Sequence, residues 1–306
     1  HEQGNFNWSS GLYDAIDRDD RVNSCLNTRE LAVTGLPFDF IPAENQTDTT
    51  RAFKSLKDNW TILFAQEAQR QVIRTVAIMG FCVCTINGWR DGHPYLEPWH
   101  PRWITYNNLT GGFEAEANWE DKKGRAVTGK IPVTPGDGTW VVFKSRFNRP
   151  WMGGSIRVLP QLIVYRQSNM IDWGRHGKRH GNAPVVVESN DIRSAKVEDY
   201  RRLADSLQEL VGDSVIMLPN GAKASFLELK RDAYKIFQSF GPEFLDQCIA
   251  IALLGQNLTT SSSGITGGLG SNISTTQSKV RQDYMESDVA VLSISHRQIC
   301  WPYYMY

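Results

Sequence analysis

Residues 155–181 read SIRVLPQLIVYRQSNMIDWGRHGKRHG, and this stretch decides the fold. Ile156, Leu159, Ile163, Met170 and Trp173 recur at helical spacing, Ser155 stands where an N-cap is wanted, Pro160 fits an early turn and Gly181 ends the run. One long helix of about 25 residues is expected. It carries five bases (Arg157, Arg166, Arg175, Lys178, Arg179) against one acid, Asp172. Cations near a helix C-terminus are favoured by the helix dipole, which accounts for about half of that bias. His176 and His180 have the i, i+4 spacing of metal ligands, with Asp172 one turn earlier. Three glycines loosen this end, no third ligand is evident and H-E-x-x-H is not matched, so no metal is expected.

Downstream lies a small module. Residues 183–187, including Val185, Val186 and Val187, read as a strand, and 197–211 read as a helix with Tyr200, Leu203, Leu207 and Leu210 on one face. Two more strands, 214–218 and 222–229, are joined by Pro219-Asn220-Gly221, a strong hairpin signal. The module, about 45 residues long, is small for an independent core. A second helical pattern starts at Lys230 with Tyr234, Phe237 and Phe240, kinks at Gly241-Pro242, and continues through Phe244, Ile249, Ile251 and Leu254. Two long helices thus bracket the module.

Upstream, 12–33 reads as one helix and 36–41 as a strand, followed by helices over 50–64 and 67–79, the latter stopped by Gly80. A strand over 81–86 opens a β-rich region that runs to residue 147. It holds Trp99, Trp103, Trp119 and Trp140, which are read as core and sheet-edge aromatics in preference to a sugar- or base-stacking platform. Beyond the second helix, residues 256–278 contain 23 positions without a charge, dominated by Ser, Thr, Gly, Asn and Gln, and read as a long mobile loop. Its Gly267-Gly268-Leu269-Gly270 lacks the flanking strand and Lys-Ser/Thr of a phosphate loop. A last helix is expected over 275–298, with Val280, Tyr284, Val291 and Ile294 or Ser295 on one side.

Composition narrows the function classes. A chain of 306 residues supports a large core without staples. Lys plus Arg and Asp plus Glu number 33 each, which excludes a wholly basic nucleic-acid coat and an acidic tail. The longest apolar run, at 249–254, is far short of the roughly 18–20 residues of a membrane span. Cys25, Cys82, Cys84, Cys248 and Cys300 are an odd set, read as reduced and mostly buried thiols of a cytosolic product. Cys82 and Cys84 share one strand face. The chain starts at His1 without Met and ends in Trp301-Pro302-Tyr303-Tyr304-Met305-Tyr306, an aromatic run that expects cover, so a fragment at both ends is anticipated. No G-x-S-x-G elbow, kinase set or P-loop is present and the six His are scattered, so an enzyme is the weaker class.

Three stretches carry a resemblance. The first is YDAIDRDDRVNSCLNTRELAVTGLP at 13–37, and the second is RPWMGGSIR at 149–157 with the helix that ends in RHGNAP at 179–184. The third is DQCIAIALLGQNLTT at 246–260, then the Gly/Ser loop, then VRQDYMESD at 280–288. In this order they resemble the Mu-like portal proteins of tailed bacteriophages over nearly the whole chain. The L-G-Q-x-L-T-T string is the most specific element, and Pro242 inside the second helix is a departure.

The resemblance implies an α+β portal fold assembling into a ring, usually of twelve subunits, at one capsid vertex, through which terminase drives double-stranded DNA without reading its sequence. Residues 1–150 would be an α/β wing, β-rich in its second half; 151–182 and 230–255 the stem helices; 183–229 a small α/β clip; 256–278 the tunnel loop; and 279–306 a wing helix leading to a missing C-terminal crown. Asn257, Thr259, Thr260, Ser261, Ser262 and Ser263 would line the DNA channel, with Arg175, Lys178 and Arg179 in the stem. Val185, Val186, Val187, Asn220 and Gly221 would dock partners and adjacent subunits. Terminase, a head-completion or adaptor protein, and the major capsid or scaffolding protein are the implied partners; no membrane, cofactor or catalytic residue is. The protein would be assembled in the host cytoplasm and end in the virion. An uncharged loop suits a conduit, because each phosphate ion pair adds affinity that would stall a moving duplex. The rival reading is a monomeric, Trp-rich carbohydrate-binding or glycan-active protein.

Overall fold

The turn between helix α4 (Gln66–Met79) and strand β1 (Phe81–Arg90) is crossed, backbone on backbone, by the segment that leads into the long helix α5 (Leu159–His180). Gly80 ends α4 with φ +85°, and a Cβ there would stand 2.0 Å from the Pro150 carbonyl oxygen. On the crossing strand, a Cβ at Gly154 would stand 2.4 Å from the Ile78 carbonyl oxygen. No side chain fits at either contact. Hydrogen bonds fix the crossing: the Ser145 amide donates to Gly80 O at 2.8 Å, Ser145 Oγ to Pro150 O at 2.9 Å, and Ser155 Oγ to Ala77 O at 2.9 Å. The Ser155 hydroxyl is therefore bound to α4. It does not cap the long helix, which begins at Leu159 after a short 3-10 turn and runs for 22 residues. Trp151, fully buried, sits beside the crossing with its ring 4.5 Å from Tyr106 and 5.7 Å from Phe6.

The computed structural model describes residues 4–37, 39, 51–90, 93–120, 126–145, 149–180, 185–189, 198, 201, 222–226, 232–256, 279–293 and 298–299. The chain forms two compact units, His1–Val164 with Asp246–Tyr306, and Tyr165–Leu245. The first contains helices α1 (Asn7–Asp17), α2 (Asp20–Thr34), α3 (Arg51–Leu63) and α4, together with two three-stranded antiparallel sheets. One sheet has the order β2-β1-β6, with β2 at His93–Pro98 and β6 at Trp140–Lys144; the other has β3 (Ile104–Asn107), β4 (Gly112–Glu120) and β5 (Ala126–Val133) in sequence order.

Strand β1 is buried on both faces, and its alternation divides the core. Phe81 and Val83 join one cluster with Trp151, Ile104, Phe113, Leu159 and Ile249. Cys82 and Cys84 join a second with Trp60, Phe64, Val72, Leu96 and Phe143. Their sulfurs lie 3.8 Å apart, and burial pushes the Cys84 thiol above its ordinary range, which keeps it protonated and unreactive. Cys25, Cys82, Cys84 and Cys248 are free thiols, the first three buried; Cys300 lies outside the described residues. Trp140 is buried, and Trp99 packs against it with its indole N–H on Thr85 Oγ1 at 3.0 Å, so both are core aromatics; Trp103 is 46% exposed.

Two expectations are corrected. Residues 12–33 form no single helix: Asp19 leaves the helical region (φ −69°, ψ 129°) and accepts from the amides of Arg21 at 3.0 Å and Val22 at 3.1 Å, so it ends α1 and caps α2. Leu36, Pro37 and Asp39 are not in a strand; the rest of that stretch lies outside the described residues.

One arginine joins three helices. Arg74 of α4 donates from Nε to Glu30 Oε1 at 2.6 Å, from Nη1 to Asp17 Oδ1 at 2.7 Å, and from Nη2 to Asn23 Oδ1 at 2.9 Å and Asn27 Oδ1 at 2.7 Å. The Glu30 side chain is only 7% exposed. Arg74→Met therefore leaves a buried carboxylate unpaired and is expected to cost about 3 kcal/mol, whereas Arg74→Met with Glu30→Leu recovers most of the loss. Denaturant unfolding of the two variants checks this, and equal losses would show that the pair does not couple the helices.

Candidate channel site

Helix α5 changes character along its length. Ile156, just before it, and Leu159 and Ile163 are buried in the first unit, as their spacing predicts. In the second unit Tyr165, Met170, Ile171 and Trp173 are 45–55% exposed. Arg175 and Lys178 are exposed near the helix end, and Arg179 is its penultimate residue. Arg175 Nη1 reaches Asp172 Oδ1 at 3.3 Å with both side chains more than half exposed, a pair that contributes little to stability. Asp172 is thus engaged by Arg175, and the His176 ring lies 5.5 Å from Phe237. Among the described residues no three His, Cys, Asp or Glu side chains come together to hold a metal.

The second helical run is interrupted at Gly241-Pro242, and the interruption takes a definite form. Helix α6 (Asp232–Gln238) passes into a π-helical segment (Ser239–Leu245) and then into α7 (Asp246–Leu254). Pro242 has no N–H to give to the Phe237 carbonyl five residues earlier. The side-chain amide of Asn169, on α5, donates to that carbonyl at 3.0 Å. Ile236, Phe240 and Phe244 are 42–66% exposed, and the last two rings stack at 6.0 Å.

Val185, Val186 and Val187 lie on strand β7 (Val185–Ser189), antiparallel to β8 (Ala222–Phe226) of the same chain, with Val185 opposite Phe226 and Val187 opposite Ala224. The helix at 197–211, apart from the helical positions Glu198 and Arg201, lies outside the described residues. So do the strand at 214–218, Asn220 and Gly221, and the loop residues Asn257, Thr259, Thr260, Ser261, Ser262 and Ser263.

The residues on either side of 257–278 are described, and one side chain joins them. Helix α8 is described over residues 279–293. Arg29 of α2 donates from Nε to Asp288 Oδ2 at 2.5 Å and from Nη2 to Asp288 Oδ1 at 2.6 Å, and its Nη1 donates to Leu253 O at 3.1 Å. Its guanidinium carbon lies 5.2 Å from the centre of the Tyr284 ring. The Arg29 and Asp288 side chains are 15% and 6% exposed. Arg29, Leu253 and Asp288 belong to the first and third of the quoted stretches, so residues more than two hundred positions apart meet at one point. Further along, the Gln298 side chain accepts from the Val142 amide at 2.7 Å and donates to the Val142 carbonyl at 3.3 Å, closing the free edge of β6 as a strand would.

In the second unit, α5 thus carries apolar side chains that are about half exposed. The family described as "Portal protein of Mu bacteriophage" matches residues 10–306, and the chain belongs to it. Among solved structures, a chain in the neck of an empty gene transfer agent particle, computed with C6 symmetry, aligns with TM-score 0.53 at 11% identity, covering 82% of this chain and 69% of that one. A chain in the virion of the native gene transfer agent gives 0.48 at 11%, covering 79% and 66%. The HK97-family phage portal protein of Corynebacterium diphtheriae gives 0.42 at 9%, covering 85% and 81%. The first of these is a likeness of fold. No curated protein matches the chain in sequence.

Asn169→Asp is nearly isosteric but turns the donor into an acceptor facing the Phe237 carbonyl. The expected cost is about 1–3 kcal/mol, read as faster amide exchange over residues 237–245. Exchange rates equal to those of the parent would mean that the amide does not hold the π segment.

Proposed function

We propose that this portal-family chain forms a closed ring at one vertex of a phage capsid and that double-stranded DNA passes through the ring during packaging and ejection, without sequence readout. The observation that carries this is the uncovered apolar surface of the second unit: Tyr165, Met170, Ile171 and Trp173 on α5 with Ile236, Phe240 and Phe244 on the other run, each at least 42% exposed. Surface of this kind is kept for association. A head-to-tail contact between unlike faces closes into a ring. Twelve copies are the number expected for the family.

In this reading 165–180 and 232–245 belong to the stem, the strands β7 and β8 to the clip, and residues 257–278 to the tunnel loop. Val185, Val186, Val187 and the Asn220-Gly221 turn form the docking face for neighbouring subunits, terminase and later a head-completion protein, while the wing meets capsid or scaffolding protein. The hydroxyls and amides of Asn257, Thr259, Thr260, Ser261, Ser262 and Ser263 form a collar that touches DNA without ion pairs, and Arg175, Lys178 and Arg179 form a wider ring of weak phosphate attraction. The role is structural and mechanical, with no chemical step, and its place is the virion.

Ile171→Glu with Phe244→Glu puts carboxylates into the intersubunit contact, each costing about 2–4 kcal/mol if buried unpaired. Sedimentation is expected to shift from ring to monomer with the far-ultraviolet circular dichroism unchanged. A parent chain that is monomeric at every concentration and salt would end the ring reading. Thr259→Lys or Ser262→Lys adds one charge per subunit to the collar and should slow packaging most at low salt, since roughly one counterion is released per new phosphate contact. Packaging rates equal to the parent's at all salt concentrations would place this segment away from DNA.

A further inference from the structure

The stretch at 257–278 is flanked by two roots, the end of α7 and helix α8, and both are bound to one side chain, at Leu253 in the last turn of α7 and at Asp288, nine positions into the described part of α8. Leu253 is in the last turn of α7, where carbonyls have no partner within the helix, and Arg29 supplies the donor. The same guanidinium holds the Asp288 carboxylate through two parallel bonds, a geometry that a lysine ammonium cannot reproduce. Between these contacts the roots also touch directly. Gly255, at φ +69°, passes so close to α8 that a Cβ there would stand 2.5 Å from Tyr284 Cε2 and 2.8 Å from Val280 Cγ1. Tyr284 in turn faces the guanidinium. Arg29 itself is held in α2, whose Glu30 joins the Arg74 network of the first unit.

We infer that Arg29 is the anchor of the two helices that flank 257–278: by holding Leu253 and Asp288 together it ties the end of α7 to α8 and both to α2. Its significance for DNA rests on reading 257–278 as the tunnel loop. A loop pushed by a moving duplex has to yield between its ends while the ends stay in place. A bidentate buried pair with a third bond to a helix terminus provides such a fixed base, and Arg29, Leu253 and Asp288 all lie outside 257–278. Arg29 touches no DNA in this scheme; it is a positioning residue.

The test is hydrogen–deuterium exchange on the full chain, comparing the parent with Asp288→Asn and Arg29→Lys. In Asp288→Asn, amides at 250–256 and 279–288 should exchange about tenfold faster, while those at 81–85 stay within about twofold of the parent. In Arg29→Lys the charge remains but the three-way fork is lost, so the Leu253 root should loosen more than the Asp288 root. That asymmetry would not follow from a general loss of stability. It also keeps the inference testable should Asp288→Asn fail to fold. Parent-like exchange at both roots, or equal acceleration throughout the first unit, overturns the anchor.

A shortened loop lacking residues 261–270 separates this from the tunnel-loop reading. If that deletion leaves packaged DNA length and retention normal while Asp288→Asn loosens the roots, the tunnel-loop reading fails and the anchor stands. If the deletion impairs packaging while the roots of Asp288→Asn remain tight, the anchor fails and the loop reading stands.

Discussion

The structure depends on the close crossing of two backbones at Gly80 and Gly154. At this point the chain ends α4, enters β1 and is overlaid by the segment that becomes α5, with carbonyl oxygens where side chains would otherwise be. Because the contact is backbone on backbone it tolerates little adjustment, and it fixes the path of the chain from β6 into the first turns of α5. Trp151 fills the space beside it, against Phe6 and Tyr106, so α1, the second sheet and the root of α5 share one packed centre.

Beyond that base the packing logic reverses. Side chains of the first unit are buried on both faces of β1, whereas in the second unit aromatic and aliphatic side chains of α5 and the π segment stay half exposed. The hydrophobic effect that stabilises the first unit is left partly unsatisfied in the second, which is why the proposed ring places a neighbouring subunit there. The charge distribution agrees with this division of labour. Buried ion pairs, Arg74 with Glu30 and Arg29 with Asp288, knit the first unit, while Arg175 and Lys178 on α5 are exposed and the Arg175–Asp172 pair is weak.

Much of this was legible in the sequence because it is local. The stop at Gly80, the alternation that puts Cys82 and Cys84 on one face, the run of β-strands, and the interruption at Gly241-Pro242 each follow from residues within one or two turns of the event. The break at Asp19 is also local, but the apolar period continues through it and conceals the cap. What the sequence hid is non-local. Ser155 has the chemistry of an N-cap and is used instead to reach Ala77, 78 residues away. Nothing near Arg29 in the sequence announces its role, because its partners lie 224 and 259 residues distant. Nothing in the spacing of Gln298 announces that it completes the edge of β6. The roots of the candidate channel loop were legible as a change of composition, but the side chain that joins them was not.

The central claim is that the exposed stem surface is the inside of a ring contact and not the outside of a monomer. Electron micrographs of the purified parent chain test it most directly. The account predicts end-on views of closed rings with a central hole at least as wide as a DNA duplex, about 20 Å, a width matched to a cargo held by backbone contacts rather than base readout. Fields of single 34.6 kDa particles, or two-fold dimers with no central opening, would contradict it.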